Sequence, residues 1–235
     1  MALATYKDFC ADASDPVLLG RFWAAALHLD LELLDDGDAV LRGSRPEQTV
    51  WVNRVPEPLS VKQRVHLDIR ADAVSELEAL GATMVDPDTF PWAVMKDPEG
   101  GELCVFGTKP DKGPGFMEIV IDTTAEHEAI TAWWGEVLGV APQTQIHEDA
   151  EFSYLENIPN CPWDDLVFVP VPEPKSVKNR IHIDVTTPDL QALIDHGASV
   201  LRAQDDGIGW TVLADPEGNE FCAFVETGSG AGGDA

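Results

Sequence analysis

Two stretches of the chain set an arginine, a histidine and an aspartate at alternate positions: Arg64, His66 and Asp68, and again Arg180, His182 and Asp184. Two others carry a glutamate and a cysteine two residues apart, Glu102 with Cys104 and Glu220 with Cys222. Imidazole, thiolate and carboxylate are the donors that hold a divalent metal, and an imidazole or guanidinium beside a thiol is also how a sulfur nucleophile is activated. Both segments read as strands, in which successive side chains point to opposite faces. Val65, Leu67 and Ile69, like Ile181, Ile183 and Val185, then form an apolar face that must pack on a core. The opposite face carries Arg, His and Asp, and such a face lines water or a cavity. The second pair of segments divides likewise, with Glu102, Cys104 and Phe106, or Glu220, Cys222 and Phe224, opposite apolar neighbours. If the two kinds of strand share a sheet, one face collects all of these groups. It is then either a ligand cavity or a structural ladder in which neighbouring carboxylates hold Arg64 and Arg180.

The elements that position these residues are repeated. Residues 55–69 (VPEPLSVKQRVHLDI) and 171–185 (VPEPKSVKNRIHIDV) are identical at ten of fifteen positions. DPEGGELCVF at 97–106 returns as DPEGNEFCAF at 215–224, and GRFWAAAL at 20–27 matches TAWWGEVL at 131–138. A period of about 110–118 residues is far beyond a solenoid unit, so each copy reads as a domain. The expected division is a first domain over 1–108, a linker over 109–115 (Gly/Pro/Lys-rich), a second domain over 116–227 and a Gly-rich disordered tail over 228–235.

Within each copy strands and helices alternate. Met117 to Ile121 reads as a strand, followed by a helix opened by Thr123 with Glu126 at capping-box spacing. Its buried stripe is Ile130, Trp133, Trp134, Val137 and Leu138, and Gly139 stops it. The matching helix of the first copy starts at Ser14 or Asp15, takes Pro16 in its first turn and buries Leu18, Leu19, Phe22, Trp23 and Ala26. Hairpin strands around 39–42 and 49–54 come next. The strands at 65–69 and 181–185 each lead into a short helix, near 72–80 and 188–196, and two closing strands joined by an Asp-Pro-Glu-Gly turn. The chain reads as four β-α-β-β-β units.

Composition bounds the function. Of 235 residues 44% are apolar, enough for a core, and 42 acidic side chains against 15 basic ones leave a formal charge of -27. Such a surface repels nucleic acid and anionic membranes, so neither is an expected partner. The acidity fits a soluble, self-repelling surface, a cationic ligand or a saline host. No signal-peptide pattern opens the chain, no apolar run nears the roughly 20 residues of a membrane span, and Cys10, Cys104, Cys161 and Cys222 are too scattered for a disulfide framework. A soluble, cytoplasmic protein is expected.

The helix motifs around Phe22-Trp23 and Trp133-Trp134, the RVHLDI and RIHIDV strands and the two DPEG closings resemble the glyoxalase-like and bleomycin-resistance branch of the vicinal oxygen chelate superfamily. That resemblance implies an α+β fold of two tandem glyoxalase/bleomycin-resistance-like domains, whose four βαβββ modules form half-barrel sheets with helices outside. Metal-binding members of the superfamily carry His, Glu or Gln near the ends of the first and last strands of each unit. Carried over, the third-quarter position falls on His66 and His182, the closing-strand position on Cys104 and Cys222, the first-strand position near Lys7 and Met117, and the fourth-strand position near Asn53/Arg54 and Val169/Pro170. That set is short of ligands: His66 and His182 remain the metal candidates, with Asp68, Asp184, Glu102 or Glu220 as substitutes, and no cofactor is assigned beyond an optional divalent ion such as Zn, Ni, Fe or Mn.

The commoner role of Cys104 and Cys222 is a small, buried, inert packing group, which resists modification in the folded protein. His28, His127, His147 and His196 read as ordinary surface or helix residues. Trp92 and Trp210, at equivalent places before the DPEG turn, read first as packing. The functional expectation is a protein that binds a small organic molecule in the cavity of one or both domains. The alternatives are a divalent-metal-dependent lyase, isomerase or dioxygenase of the same superfamily, and a non-catalytic assembly or regulatory module. With paired units already present, the chain is expected as a monomer with an internal pseudo-dimer, or as a homodimer.

Overall fold

The computed structural model describes residues 2–124, 126–146 and 151–226. The first module holds β1 (Thr5–Ala13), α1 (Pro16–Leu27), β2 (Asp30–Leu33), β3 (Ala39–Arg42) and β4 (Val50–Arg54). The second holds β5 (Val65–Ala71), α2 (Val74–Ala79), β6 (Thr83–Asp86), β7 (Ala93–Lys96) and β8 (Glu102–Gly107). The third holds β9 (Gly115–Thr123), α3 (His127–Leu138), β10 (Gln143–Ile146), β11 (Glu151–Glu156) and β12 (Asp165–Pro170). The fourth holds β13 (Ile181–Thr187), α4 (Leu190–Asp195), β14 (Ser199–Arg202), β15 (Thr211–Ala214) and β16 (Glu220–Val225). The α+β class and the four modules are as the repeat implied.

The modules do not pair in chain order. One eight-stranded sheet runs β14-β15-β16-β13-β1-β4-β3-β2 and the other β10-β11-β12-β9-β5-β8-β7-β6. The first sheet therefore joins the first and fourth modules, and the second joins the second and third. Each seam is an antiparallel pair of first strands, β1 on β13 and β5 on β9. The repeats over 1–108 and 116–227 are units of sequence, whereas each sheet takes one module from either copy.

The apolar faces pack as alternation requires. Val65, Leu67 and Ile69, and Ile181, Ile183 and Val185, are buried in one core with Phe22, Trp23, Ile130, Trp133 and Trp134 of the helices. Fully burying each large side chain contributes about 1.5–3 kcal/mol. Rings join the two sheets directly, since Phe9 of β1 lies 5.3 Å from Phe116 of β9. Leu18 departs from the expected stripe and is 45% exposed, because α1 turns Leu19 and Phe22 inward instead. The N-cap of α1 is Asp15, whose carboxylate accepts from the Val17 and Leu18 N–H groups. No capping box forms at α3: Thr123 ends β9, and the N-cap is Glu126 without a side-chain bond.

The DPEG turns hold the sheets together. Asp97 Oδ1 accepts from the Glu99 and Gly101 N–H groups while Gly100 takes a φ of +91°, open to glycine without strain. That geometry aims the Glu99 carboxylate at the Ser14 and Asp15 N–H groups, 2.9 and 2.5 Å away in the other sheet's first module. Glu217 does the same for Thr124, accepting from its N–H at 2.9 Å and its hydroxyl at 2.6 Å.

Candidate functional site

Each sheet carries one cluster of polar side chains on its central strands. On the first sheet the register sets Cys10 opposite His182 and Asp8 opposite Asp184, with Cys222 beside Asp184 on β16. Cys10 Sγ lies 3.3 Å from Asp184 Oδ2, His182 Nδ1 lies 3.5 Å from Asp184 Oδ1, and Cys222 Sγ lies 3.8 Å from His182 Nδ1. On the second sheet Asp68 faces Glu118, with Cys104 of β8 beside Asp68 and Asp165 of β12 beside Glu118. His66 Nε2 lies 3.3 Å from Asp68 Oδ1 and 3.8 Å from Cys104 Sγ.

The sequence expectation missed Asp8 and Glu118. It placed the first-strand positions near Lys7 and Met117, but the pairing register slips at both residues, from Tyr6 to Asp8 in β1 and across Met117 in β9. Lys7 and Met117 are the extra residues of two bulges, and the next residue, an acid in both copies, begins the regular pairing opposite Asp184 and Asp68. Aligning Tyr6-Lys7-Asp8-Phe9 with Phe116-Met117-Glu118-Ile119 reveals the repeated acid. The fourth-strand expectation near Asn53/Arg54 and Val169/Pro170 is likewise displaced. On β4 it is Trp51 that reaches the cluster, donating its indole N–H to Asp8 Oδ2 at 3.2 Å, and on β12 it is Asp165.

The other named residues diverge. Arg64 donates to the Glu173 and Asp122 carbonyls, and Arg180 to the Asp12 and Glu57 carbonyls, so backbone oxygens hold both and, among the described residues, no carboxylate ladder forms around them. Glu102 accepts from the Gln63 N–H and pairs with Lys96, while Glu220 accepts from Lys175 and from the Asn179 N–H. These four residues brace the approach to β5 and β13. Of the remaining histidines, His127 is buried against the Ser153 hydroxyl at 2.9 Å with Glu151 3.5 Å away, so it is not a surface residue. His196 stacks on Trp133 and His28 adopts the left-handed cap of α1. His147 lies outside the described residues.

Charge is crowded in both clusters. Burial first, then the Asp68 and Asp165 charges, raises Glu118 to about 9. Burial and Asp184 raise Asp8 to about 6, against the opposing pull of Lys7. The thiols of Cys10, Cys104 and Cys222 are pushed up by burial and by Asp184 or Asp68, which favours the protonated form when no cation is bound. The walls are aromatic: Trp92 stacks between Phe90 and Phe106 at 5.1 Å from each, and Trp210 lies 5.4 Å from Phe224, over which Lys7 is placed.

The donor chemistry suits one cation per cluster. Cys10, His182 and Asp184 converge in one, and His66, Asp68 and Cys104 in the other. Asp8 Oδ1, Asp184 Oδ1, Asp68 Oδ1 and His66 Nδ1 are buried without an aligned hydrogen bond, an arrangement that costs energy unless something positive or protic meets them. In the second cluster the separations of 3.3 and 3.8 Å from His66 Nε2 to Asp68 Oδ1 and Cys104 Sγ match the edges of a tetrahedron with bonds of about 2.0–2.3 Å.

The profile of the glyoxalase-like domain family matches this chain twice, over residues 8–106 and 118–224. Among solved structures, glyoxalase I from Zea mays is similar with a TM-score of 0.68 at 15% identity, covering 94% of this chain and 92% of that one. A putative dioxygenase from Bacillus subtilis has a TM-score of 0.62 at 13% identity, covering 96% and 86%. The cppA protein from Streptococcus pneumoniae has a TM-score of 0.51 at 10% identity, covering 95% and 100%. At these identities the likeness is one of fold. No curated protein matches the chain.

Proposed function

Because the chain belongs to the glyoxalase-like domain family, and its two clusters share one design, we propose that it binds a divalent cation on the central strands of each sheet and a small organic molecule against that cation. The observation that supports this reading is the pair of His–Asp–Cys sets, each with a second carboxylate opposite its aspartate, Asp8 held by Lys7 in the first and Glu118 in the second. In the first sheet Cys10, His182 and Asp184 hold the ion, with Asp8 and Cys222 adjacent. In the second, His66, Asp68 and Cys104 hold it, with Glu118 adjacent. The mixed N, S and O donors favour zinc over magnesium or calcium.

A bound ion supplies Lewis-acid polarisation of a ligand oxygen. The protein's own groups would do the rest. Trp51 steers Asp8, and the stack of Phe90, Trp92 and Phe106 offers a flat wall to a planar ligand. Glu118, protonated at neutral pH when no cation is present, can give up that proton on cation uptake or donate it to a ligand oxygen.

The reading is tested by titrating chelator-treated protein with zinc, nickel, manganese and ferrous ions and measuring bound metal per chain. Up to two equivalents are expected, one lost in His66→Ala and one in His182→Ala. Absence of binding for every ion defeats it and leaves a metal-free binder, for which the aromatic walls and the neutral Glu118 are the supporting features.

A further inference from the structure

The segment most faithfully repeated in the sequence lies outside both clusters. It forms the two crossovers between the sheets: residues 55–64 lead from β4 of the first sheet to β5 of the second, and residues 171–180 lead from β12 back to β13. Between them lies a cleft of about 310 Å³. Its lining brings together Lys62 and Arg64 from one crossover and Lys178 and Arg180 from the other. Four of the chain's fifteen basic residues thus meet at one place, against two acidic ones, Asp122 and Glu173.

The arginines are held by backbone carbonyls and each lysine by a single carboxylate. Each guanidinium is tied to backbone carbonyls of the opposite crossover and of the neighbouring first strand, which sets the shape of the cleft. Each ammonium holds one carboxylate, Lys62 on Asp122 and Lys178 on Asp12, and keeps further N–H donors toward solvent, since the two side chains are 61% and 55% exposed. Val61 and Val177, 43% and 45% exposed, stand beside them as apolar shoulders. Asp122 and Asp12 each offset one lysine, and with Glu173 against the two arginines the cleft keeps a local excess of positive charge.

We infer that this cleft is a second binding site, one that takes a small organic dianion: two carboxylate or phosphate groups on a short body, one near each lysine. The approximate two-fold relation of the crossovers favours a ligand with an acidic group at both ends. A volume of this size suits a small molecule.

The test uses full-length protein with chelator present, titrated calorimetrically at constant ionic strength with pyrophosphate and, separately, with succinate. One equivalent of at least one anion is expected to bind, and which one binds identifies phosphate or carboxylate as the preferred group. Binding is expected to weaken about tenfold or more in the Lys62→Gln/Lys178→Gln double variant, the effect of losing charge-assisted hydrogen bonds. Val177→Glu, which adds a negative charge at an exposed position and breaks no ion pair, is expected to weaken it as well. The His66→Ala/His182→Ala variant keeps anion binding, which separates this site from the cation clusters. Failure of both anions to bind, or equal affinity in the lysine double variant and in Val177→Glu, overturns the inference.

Discussion

Glu118→Gln in metal-free protein probes the crowding of the clusters most directly. Glu118 faces Asp68 across the seam of the second sheet and has Asp165 beside it, and burial with these charges raises its pKa from 4.5 to about 9. An acid whose folded pKa lies above its unfolded one keeps, in the native state, a proton that the unfolded chain has released. Its contribution to stability is therefore complete below the unfolded pKa and is lost as pH rises through the folded one, at about 1.4 kcal/mol per pH unit. Between about pH 5 and pH 8 that amounts to about 4 kcal/mol, a large share of the 5–15 kcal/mol typical of a folded protein. Asp8 acts in the same direction over a lower window, from its ordinary range up to about 6. Urea unfolding across this pH range, with chelator present, is expected to show wild type losing stability as pH rises. The glutamine variant should lose about 4 kcal/mol less over the same range, while the general repulsion among acidic side chains is nearly common to both proteins. Saturating zinc should flatten the wild-type slope, because a cation favours the ionised carboxylate. Parallel pH profiles for the two proteins, or stability that rises with pH in both, would show that Glu118 titrates as an ordinary acid and would refute the crowding argument.

Burial should also protect the thiols: an aromatic disulfide reagent at about pH 8 is expected to label Cys10, Cys104 and Cys222 only after denaturation, and fast native labelling of any of them would contradict the raised pKa values. Glu99→Ala and Glu217→Ala each remove two hydrogen bonds between modules, so each should lower unfolding free energy by about 1–2 kcal/mol with little change at the clusters, and values near zero would show that the clamps are not stabilising. Because β1 and β5 find their partners in the other copy, residues 1–108 made alone should expose both seams and associate as a dimer; a folded monomer by light scattering would argue against dependence of the sheets on both copies.

The sequence alone determined what depends on short range and on repetition. Alternation in 65–69 and 181–185 separates core from polar side chains, the DPEG segments specify their own turns, and Phe22-Trp23 and Trp133-Trp134 place the helices on the core, because each signal is carried within a few residues. The two-fold repetition of all three was enough to assign four modules and a fold. It was not enough to say which modules share a sheet, since pairing β1 with β13 rather than β5 is decided by contacts more than a hundred residues apart. Asp8 and Glu118 share the parity of Cys10 and Val120 by plain alternation, but only the pairing of β1 with β13 and of β5 with β9 sets them opposite Asp184 and Asp68. Arg64 and Arg180 show the same limit from the other side. They share the parity of His66 and His182, but they lie just before the strands, where the nearest acceptors are carbonyl oxygens of the opposite crossover, brought there only by the tertiary fold.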